Sequence, residues 1–274
     1  MEMSLFKMNN ENLNNNKEQK YIPECDYCGK PYISYYKKEL VDNYTFGICY
    51  DENIEPDYTL IEDYKPACKC DFLHLSKEEK EKQILYNLAH SGLTPVLLEK
   101  SFDNLKLTEE QKKCREYAEL LKDNKVKGIK LIGNVGTGKT VTLACICRYL
   151  IENGYKCYFT TLSDILKEYS KYSLDNAGKI TGELEKLNKF DLIVLDDIGR
   201  EKLTDTRKEN LFSIIDYLIN YKIKLAISCN ENLFKKLKNN IKTNMPELEA
   251  VIDRLNELCP NVIYFNGPSF RGNI

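Results

Sequence analysis

The sequence predicts an α/β fold in which a parallel sheet is covered by helices on both faces. Three observations predict it. From Gly128 onward, short β-rich runs alternate with helical stretches; the runs are apolar throughout; and one junction, "GNVGTGKT" at Gly133–Thr140, has the spacing of a phosphate loop. Uninterrupted apolar strands need cover on both sides, and the crossover helices of a parallel sheet provide it.

Along the chain, the first twenty residues hold six asparagines and almost no apolar periodicity. Segment 1–20 is therefore expected to be a disordered tail, unable to bury enough surface to offset its ordering entropy. Residues 21–75 hold five of the eleven cysteines and many tyrosines, and read as a small separate module. From Ser76 the pattern turns helical. Ser76 and Glu79 form a capping-box pair, Ile84, Leu85, Leu88 and Ala89 make a stripe, and Gly92 suits the exit. A second helix is expected from Thr108, with Gln111 as its box partner, and "SGLTPVLLEKSFDNL" between the two reads as a linker. Residues 76–107 are thus helix and linker, and 108–274 the main domain. Within that domain "GIKLIG", "KCYFTT", "DLIVLDD", "IKLAISCN" and "NVIYF" are the strands. A helix from Lys139, then "LSDILKEYSKY" and "ENLFSIIDYLIN", are the helices between them. No internal repeat is apparent.

Composition excludes several classes. Forty basic against 42 acidic residues leave a net charge of -2, so no global basic field marks a nucleic-acid binder, and any such contact must be local. No run approaches the roughly 18 apolar residues of a membrane span. The N-terminus has no leader pattern, so a cytoplasmic location is expected. Cysteines in a reducing compartment are then sorted into metal ligands and core filling rather than disulfides.

The phosphate loop comprises Gly133, Asn134, Val135, Gly136, Thr137, Gly138, Lys139 and Thr140. Its glycines let backbone N–H groups converge on a phosphate, and the helix N-terminus adds partial positive charge. Lys139 would bridge β- and γ-phosphates of ATP, and the Thr140 hydroxyl would ligate Mg²⁺. Asp196, ending the apolar run "LIVL", would hold the same ion. Asp197 is the better candidate for polarising an attacking water; a turn or capping carboxylate is the alternative. Asn230, ending the strand "KLAISCN", would orient that water or sense the γ-phosphate, or would simply cap the following helix.

"CDYCGK" and "CKC" supply two thiolate pairs, Cys25 and Cys28, then Cys68 and Cys70, with 39 residues between them. Two such pairs brought together make a tetrahedral sulfur site for Zn²⁺. Cys49 or His74 could replace one ligand, and unbound thiols are the other reading. Gly29 permits the left-handed turn that aims backbone N–H groups at sulfur. Cys145, Cys147 and Cys157 sit among apolar neighbours and are expected in the core.

With "SFDNL", "GNVGTGKT", "LIVLDDIG", "SCN", "VIDRL" and "SFR" in order from about Phe102 to Arg271, the chain resembles the AAA+ ATPases of the DnaC/DnaI-type helicase-loader family. The resemblance implies a P-loop AAA+ three-layer parallel sheet without a helical lid, preceded by a small zinc-binding module. It also implies that Arg254 is an arginine finger reaching a neighbouring subunit's nucleotide. Arg271, just after the last strand, would act on its own subunit's phosphates. The insert from Leu162 to Leu187 resembles a single-stranded DNA grip, where Lys167, Lys171 and Lys179 could meet phosphates or form a solvated face. Relatives commonly carry an Arg-Tyr pair where this chain has Asn220-Tyr221, which puts a contact there in doubt. They often carry glutamate where this chain has Asp197, so hydrolysis is expected to be slow and switch-like.

The implied function is ATP-controlled loading of a hexameric replicative helicase onto single-stranded DNA during replication. The cysteine module would contact the helicase, and ATP would drive self-association. An IstB-type transposition helper ATPase is the alternative. A small-molecule P-loop kinase would need an acceptor pocket and a mobile lid, and neither is legible.

Overall fold

The computed structural model describes residues 24–30, 33–40, 58–65, 68–173, 186–198, 205–230 and 246–270. The expected tail, Cys49, Lys179 and Arg271 lie outside the described residues. The chain divides into two compact units, Met1–Cys68 and Lys69–Ile274.

In the first unit, a turn at Glu24–Lys30 precedes an antiparallel pair, β1 (Ile33–Leu40) and β2 (Tyr58–Lys65). The register runs from Ile33 opposite Lys65 to Leu40 opposite Tyr58. Sequence reading placed no strand here, although "ISYY" and "YTLI" are rich in the β-branched and aromatic residues that suit a pleated surface.

In the second unit, α1 (Cys70–Leu73), α2 (Lys77–Ala89), α3 (Pro95–Leu98) and α4 (Glu109–Lys122) lead into the sheet. Both expected capping boxes close. Ser76 Oγ accepts from Glu79 N–H while Glu79 accepts from Ser76 N–H, and Thr108 and Gln111 do the same. The stripe on α2 is only partly inward: Ile84 and Leu88 pack on the core, while Leu85 is 67% exposed. The helix ends at Ala89 with His90 as its cap, and Gly92 follows at φ +76°. Ser91–Leu105 is no linker in the mechanical sense. Leu93 and Phe102 are buried in the main core, and Ser91 O accepts from Phe159 N–H at 2.6 Å.

The five-stranded sheet contains β3 (Ile129–Gly133), β4 (Cys157–Thr161), β5 (Leu192–Ile198), β6 (Lys224–Cys229) and β7 (Asn261–Phe265), in the order β4-β5-β6-β3-β7. Every pairing is parallel. The crossovers among described residues are α5 (Lys139–Glu152), α6 (Leu162–Ser173), α7 (Asp205–Asn220) and α8 (Pro246–Leu258). A short 3₁₀ turn, Lys186–Lys189, precedes β5.

Strand alternation divides the core into two layers. Ile129, Leu131, Leu192 and Val194 face α4 and α5, whereas Ile132, Ile193 and Leu195 face the layer of α6, α7 and α8. Each such fully buried side chain contributes about 1.5–3 kcal/mol, and together they fix the three-layer arrangement. Cys145, Cys147 and Cys157 fill the first layer, each at most 1% exposed. Burial pushes the Cys145 thiol up to about 12 and raises Cys157 as well, so both are packing residues rather than nucleophiles.

Candidate functional site

The site begins where β3 ends. Gly133 pairs with Phe265 on β7, and a Cβ on Gly133 would lie 2.2 Å from the Phe265 carbonyl oxygen, so no side chain fits there. The chain then turns through Gly136 and Gly138 into α5. Gly138 is the N-cap of α5 at φ +90°, a left-handed conformation that other residues adopt only with strain. The loop is braced from within, because Thr137 Oγ1 donates to Asn134 O at 2.9 Å and Thr142 Oγ1 donates to Gly138 O at 2.9 Å. Lys139 Nζ donates to the carbonyls of Gly133 and Asn134 at 2.9 and 2.6 Å, holding the ammonium at the loop.

Asp196 reaches the loop from β5. Its Oδ2 accepts from Thr140 Oγ1 at 2.9 Å and its Oδ1 from Ser228 Oγ at 2.5 Å. Ser228 Oγ in turn accepts from Asp197 N–H at 2.8 Å, so β5 and β6 are tied at the site. Asp196 is 7% exposed, and such a buried carboxylate needs these donors. β5 does not stop at Leu195. It runs on to Ile198 through a register shift, and Asp197 sits at φ +59°.

These residues border a cavity of about 460 Å³. Val135, Gly136, Gly138, Lys139, Thr140, Asp197 and Asn230, all candidate site residues, line it. Gly133, Asn134, Thr137 and Asp196 support it from behind through the hydrogen bonds above.

Sequence reasoning missed Ser228, Gln111, Val141, Lys100, Leu105, Lys106 and Phe270 as cavity-lining residues. Ser228 had a signal, since strand alternation puts it on the same face as Asn230. Gln111 had one too: having closed its capping box, its Nε2 donates to Thr142 Oγ1 at 3.2 Å and joins α4 to α5. Phe270 had none. Its N–H donates to Gly136 O at 2.9 Å, bringing the stretch after β7 back onto the phosphate loop.

The donor set fits a nucleoside triphosphate and Mg²⁺. Oxygen ligands at about 2.0–2.1 Å in octahedral geometry are about 2.9 Å from their cis neighbours, the separation at which Thr140 Oγ1 and Asp196 Oδ2 stand. Both are hard oxygen donors, and Lys139 adds a cation beside them.

Arg254 on α8 does not line this cavity. Its Nη1 is 2.5 Å from Asp216 Oδ1 on α7, and its guanidinium lies 5.0 Å from the Phe212 ring centroid. Asp216 Oδ2 also accepts from Asn220 Nδ2 at 3.1 Å, so the asparagine that departs from the loader pattern supports the same carboxylate. Lys167 pairs with Asp164 at 3.1 Å on α6, the helix that also carries Lys171.

In the first unit, the sulfurs of Cys25, Cys28 and Cys68 lie within 4.8 Å of one another. Gly29 is left-handed at φ +67°, and its N–H donates to Cys25 O at 2.8 Å. Backbone N–H groups of Tyr27, then Cys28, donate to the Cys25 sulfur, and thiol contacts with Cys68 and Cys28 add to them against desolvation. Together they hold the Cys25 thiol down at about 7, which favours the thiolate that a metal requires. Cys70 follows two residues after Cys68, at the start of α1.

A parallel sheet with this strand order, a phosphate loop between β3 and α5, and an acidic residue on β5 facing that loop define a P-loop nucleotide-binding protein of the AAA+ class. Residues 74–273 match the model of the IstB-like ATP binding proteins, and the chain belongs to that family. It is 26% identical over 208 residues to the replicative helicase loader DnaC of Escherichia coli strain K12, covering 73% of this chain and 80% of the loader. It is also 26% identical over 167 residues to an IS21-like insertion-sequence ATP-binding protein of Bacteroides fragilis, covering 59% of each. Among solved structures, DnaI superposes with a TM-score of 0.54 at 20% identity over 63% of this chain and 94% of that one. The DnaC helicase loader superposes with a TM-score of 0.51 at 19% identity, over 62% and 99%. No helix among the described residues is long and apolar enough to cross a membrane.

Proposed function

We propose that this protein is an ATP-hydrolysing helicase loader, which binds a replicative helicase and places it on single-stranded DNA. The observation that supports the ATP switch is a cavity lined by Lys139, Thr140 and Ser228, with Asp196 behind it hydrogen-bonded to Thr140 and Ser228. Lys139 binds the β- and γ-phosphates. Thr140 and Asp196 hold Mg²⁺, which supplies charge neutralisation at the transferring phosphoryl group. Asp197 takes the proton of the attacking water and Asn230 orients it; both line the cavity. Arg254, absent from its own chain's cavity lining, completes the site of a neighbouring copy, and Arg271 acts on its own. Lys167, Lys171 and Lys179 follow the phosphates of the single strand. Cys25, Cys28, Cys68 and Cys70 hold one Zn²⁺ in the part that meets the helicase. Residues 1–20 form a tail, 21–75 this module, 76–107 its connection and 108–274 the ATPase.

The alternative, an IstB-type transposition helper, is kept open by the insertion-sequence relative. The loader is favoured because the alignment with DnaC takes in 80% of that protein against 59% for the insertion-sequence protein. Affinity capture from the native cell, with ATP present, tests the choice. Retention of a hexameric helicase that is lost in Lys139→Ala supports loading, whereas retention of a transposase alone overturns it. Elemental analysis is expected to give about one zinc per chain, and fully folded metal-free protein would remove that part of the proposal.

A further inference from the structure

A second cavity, of about 300 Å³, lies at the other rim of the sheet, among Asn87, Lys156, Tyr158, Lys186, Lys189 and Phe190. Lys156 and Tyr158 stand at the N-terminal start of β4, whereas the phosphate loop follows the C-terminal end of β3. The strands between them are parallel, so one nucleotide cannot occupy both places.

Three independent features converge on this cavity. The first is charge. Its lining contains three exposed lysines and, among the described residues, no carboxylate. The second is planarity. Tyr158 and Phe190 are stacked with centroids 5.1 Å apart and planes at 23°, and Lys189 Nζ lies 5.3 Å from the Phe190 centroid. Tyr86 and His90 form another stack at 4.1 Å and also line the cavity. The third is a buried donor. Asn87 is 6% exposed on an otherwise partly solvated helix, and its Nδ2 is buried without a hydrogen-bond partner. Buried amide donors are paired in folded proteins, and one that borders a cavity is completed by what enters it.

We infer that this cavity binds a nucleoside phosphate, distinct from the triphosphate at Lys139. The base lies against the Tyr158–Phe190 stack, one of its acceptors takes the Asn87 N–H, and Lys156, Lys186 and Lys189 meet the phosphate. The same chemistry is offered by a free nucleotide and by one residue of a single strand.

The test uses the full chain carrying Lys139→Ala, so that the phosphate loop does not contribute. Two probes are titrated: thymidine monophosphate by calorimetry, and a fluorescein-labelled twelve-residue oligothymidylate by anisotropy. At least one binds in a way that the cavity variants below weaken. Such binding of the monophosphate identifies a free nucleotide, and such binding of the oligomer alone identifies a strand, whereas oligomer binding that those variants leave unchanged belongs to Lys167, Lys171 and Lys179. Asn87→Leu and the double variant Lys186→Glu/Lys189→Glu each weaken binding at least about fivefold, the lower end of one lost stacking or paired contact. The one phosphate neutralised in this cavity contributes about -0.7 to the oligomer's log–log salt slope. Should Asn87→Leu not fold, the surface lysine variant decides alone. The inference is overturned if neither probe binds, or if a folded lysine variant binds both as tightly as its parent.

Discussion

Asp197 shows how a single residue is held in tension between fold and chemistry. At φ +59° it occupies the left-handed region, which costs an L-residue about 1–2 kcal/mol, somewhat less for aspartate. The cost is borne by the register shift between Leu195 and Ile198 and by the Asp197 N–H bond to Ser228. The conformation turns the residue out of the strand, so that it lines the cavity instead of packing in the sheet. Asp197→Gly accepts the same backbone without strain. It is expected to leave the urea unfolding free energy within about 1 kcal/mol of the parent while abolishing ATP turnover. Unchanged turnover in that variant would remove Asp197 from the reaction. The sequence "LIVLDD" made the two carboxylates legible, because an acidic pair after an apolar run breaks the pattern of a buried strand. The bulge that separates their roles was not legible, since register shifts leave no residue signature of their own when no glycine is present.

Among elements, the helices with explicit start signals were read correctly, and the segment without them was not. The boxes at Ser76 and Thr108 are local chemistry within four residues, so they survive any tertiary context. Ser91–Leu105 carries Gly92 and Pro95 and one short helix, which look like punctuation. Its order comes from distant partners: Leu93 and Phe102 enter the main core, and Arg148 on α5 donates to the Leu98 carbonyl. A similar blindness affects Lys130, a lysine in an apolar strand that is 3% exposed because Asn256 Oδ1 accepts from its Nζ at 2.5 Å. The apolar residues of Ser91–Leu105 follow neither a helical nor a strand period, so sequence alone could not assign Leu93 and Phe102 to a core. Phe102→Ala therefore measures whether this segment is structural. With Phe102 5% exposed, the substitution is expected to lower the unfolding free energy by about 3–5 kcal/mol in urea titration. A loss below about 1 kcal/mol would restore the linker reading.

At the scale of the whole molecule, the proposed role of Arg254 requires that one chain's arginine be kept available for another chain's nucleotide. Arg254 and Asp216 are 36% and 33% exposed, and an ion pair so accessible to water is worth only about 0.2–1 kcal/mol. It therefore parks the guanidinium without locking it, and the Phe212 ring beneath keeps the side chain from ranging freely. In the proposed assembly, exchange of Asp216 for a neighbour's γ-phosphate, an acceptor carrying up to two negative charges, would run downhill. This part of the molecule could not be read from spacing, because Asp216 and Arg254 are 38 residues apart on different helices. Arg254→Ala is expected to bind ATP as the parent does at low protein concentration, since the residue lies outside its own cavity. Its turnover per chain should stay flat as protein concentration rises, where that of the parent climbs on assembly by about 10³-fold or more at saturation, the scale of an arginine finger. Asp216→Asn makes the converse point. Releasing the guanidinium shifts the same rise to lower protein concentration by up to about fivefold, the equivalent of the lost pair. Identical concentration curves for the parent and Arg254→Ala would mean that the arginine serves α7 and α8 alone, and that the ATPase works without a neighbour.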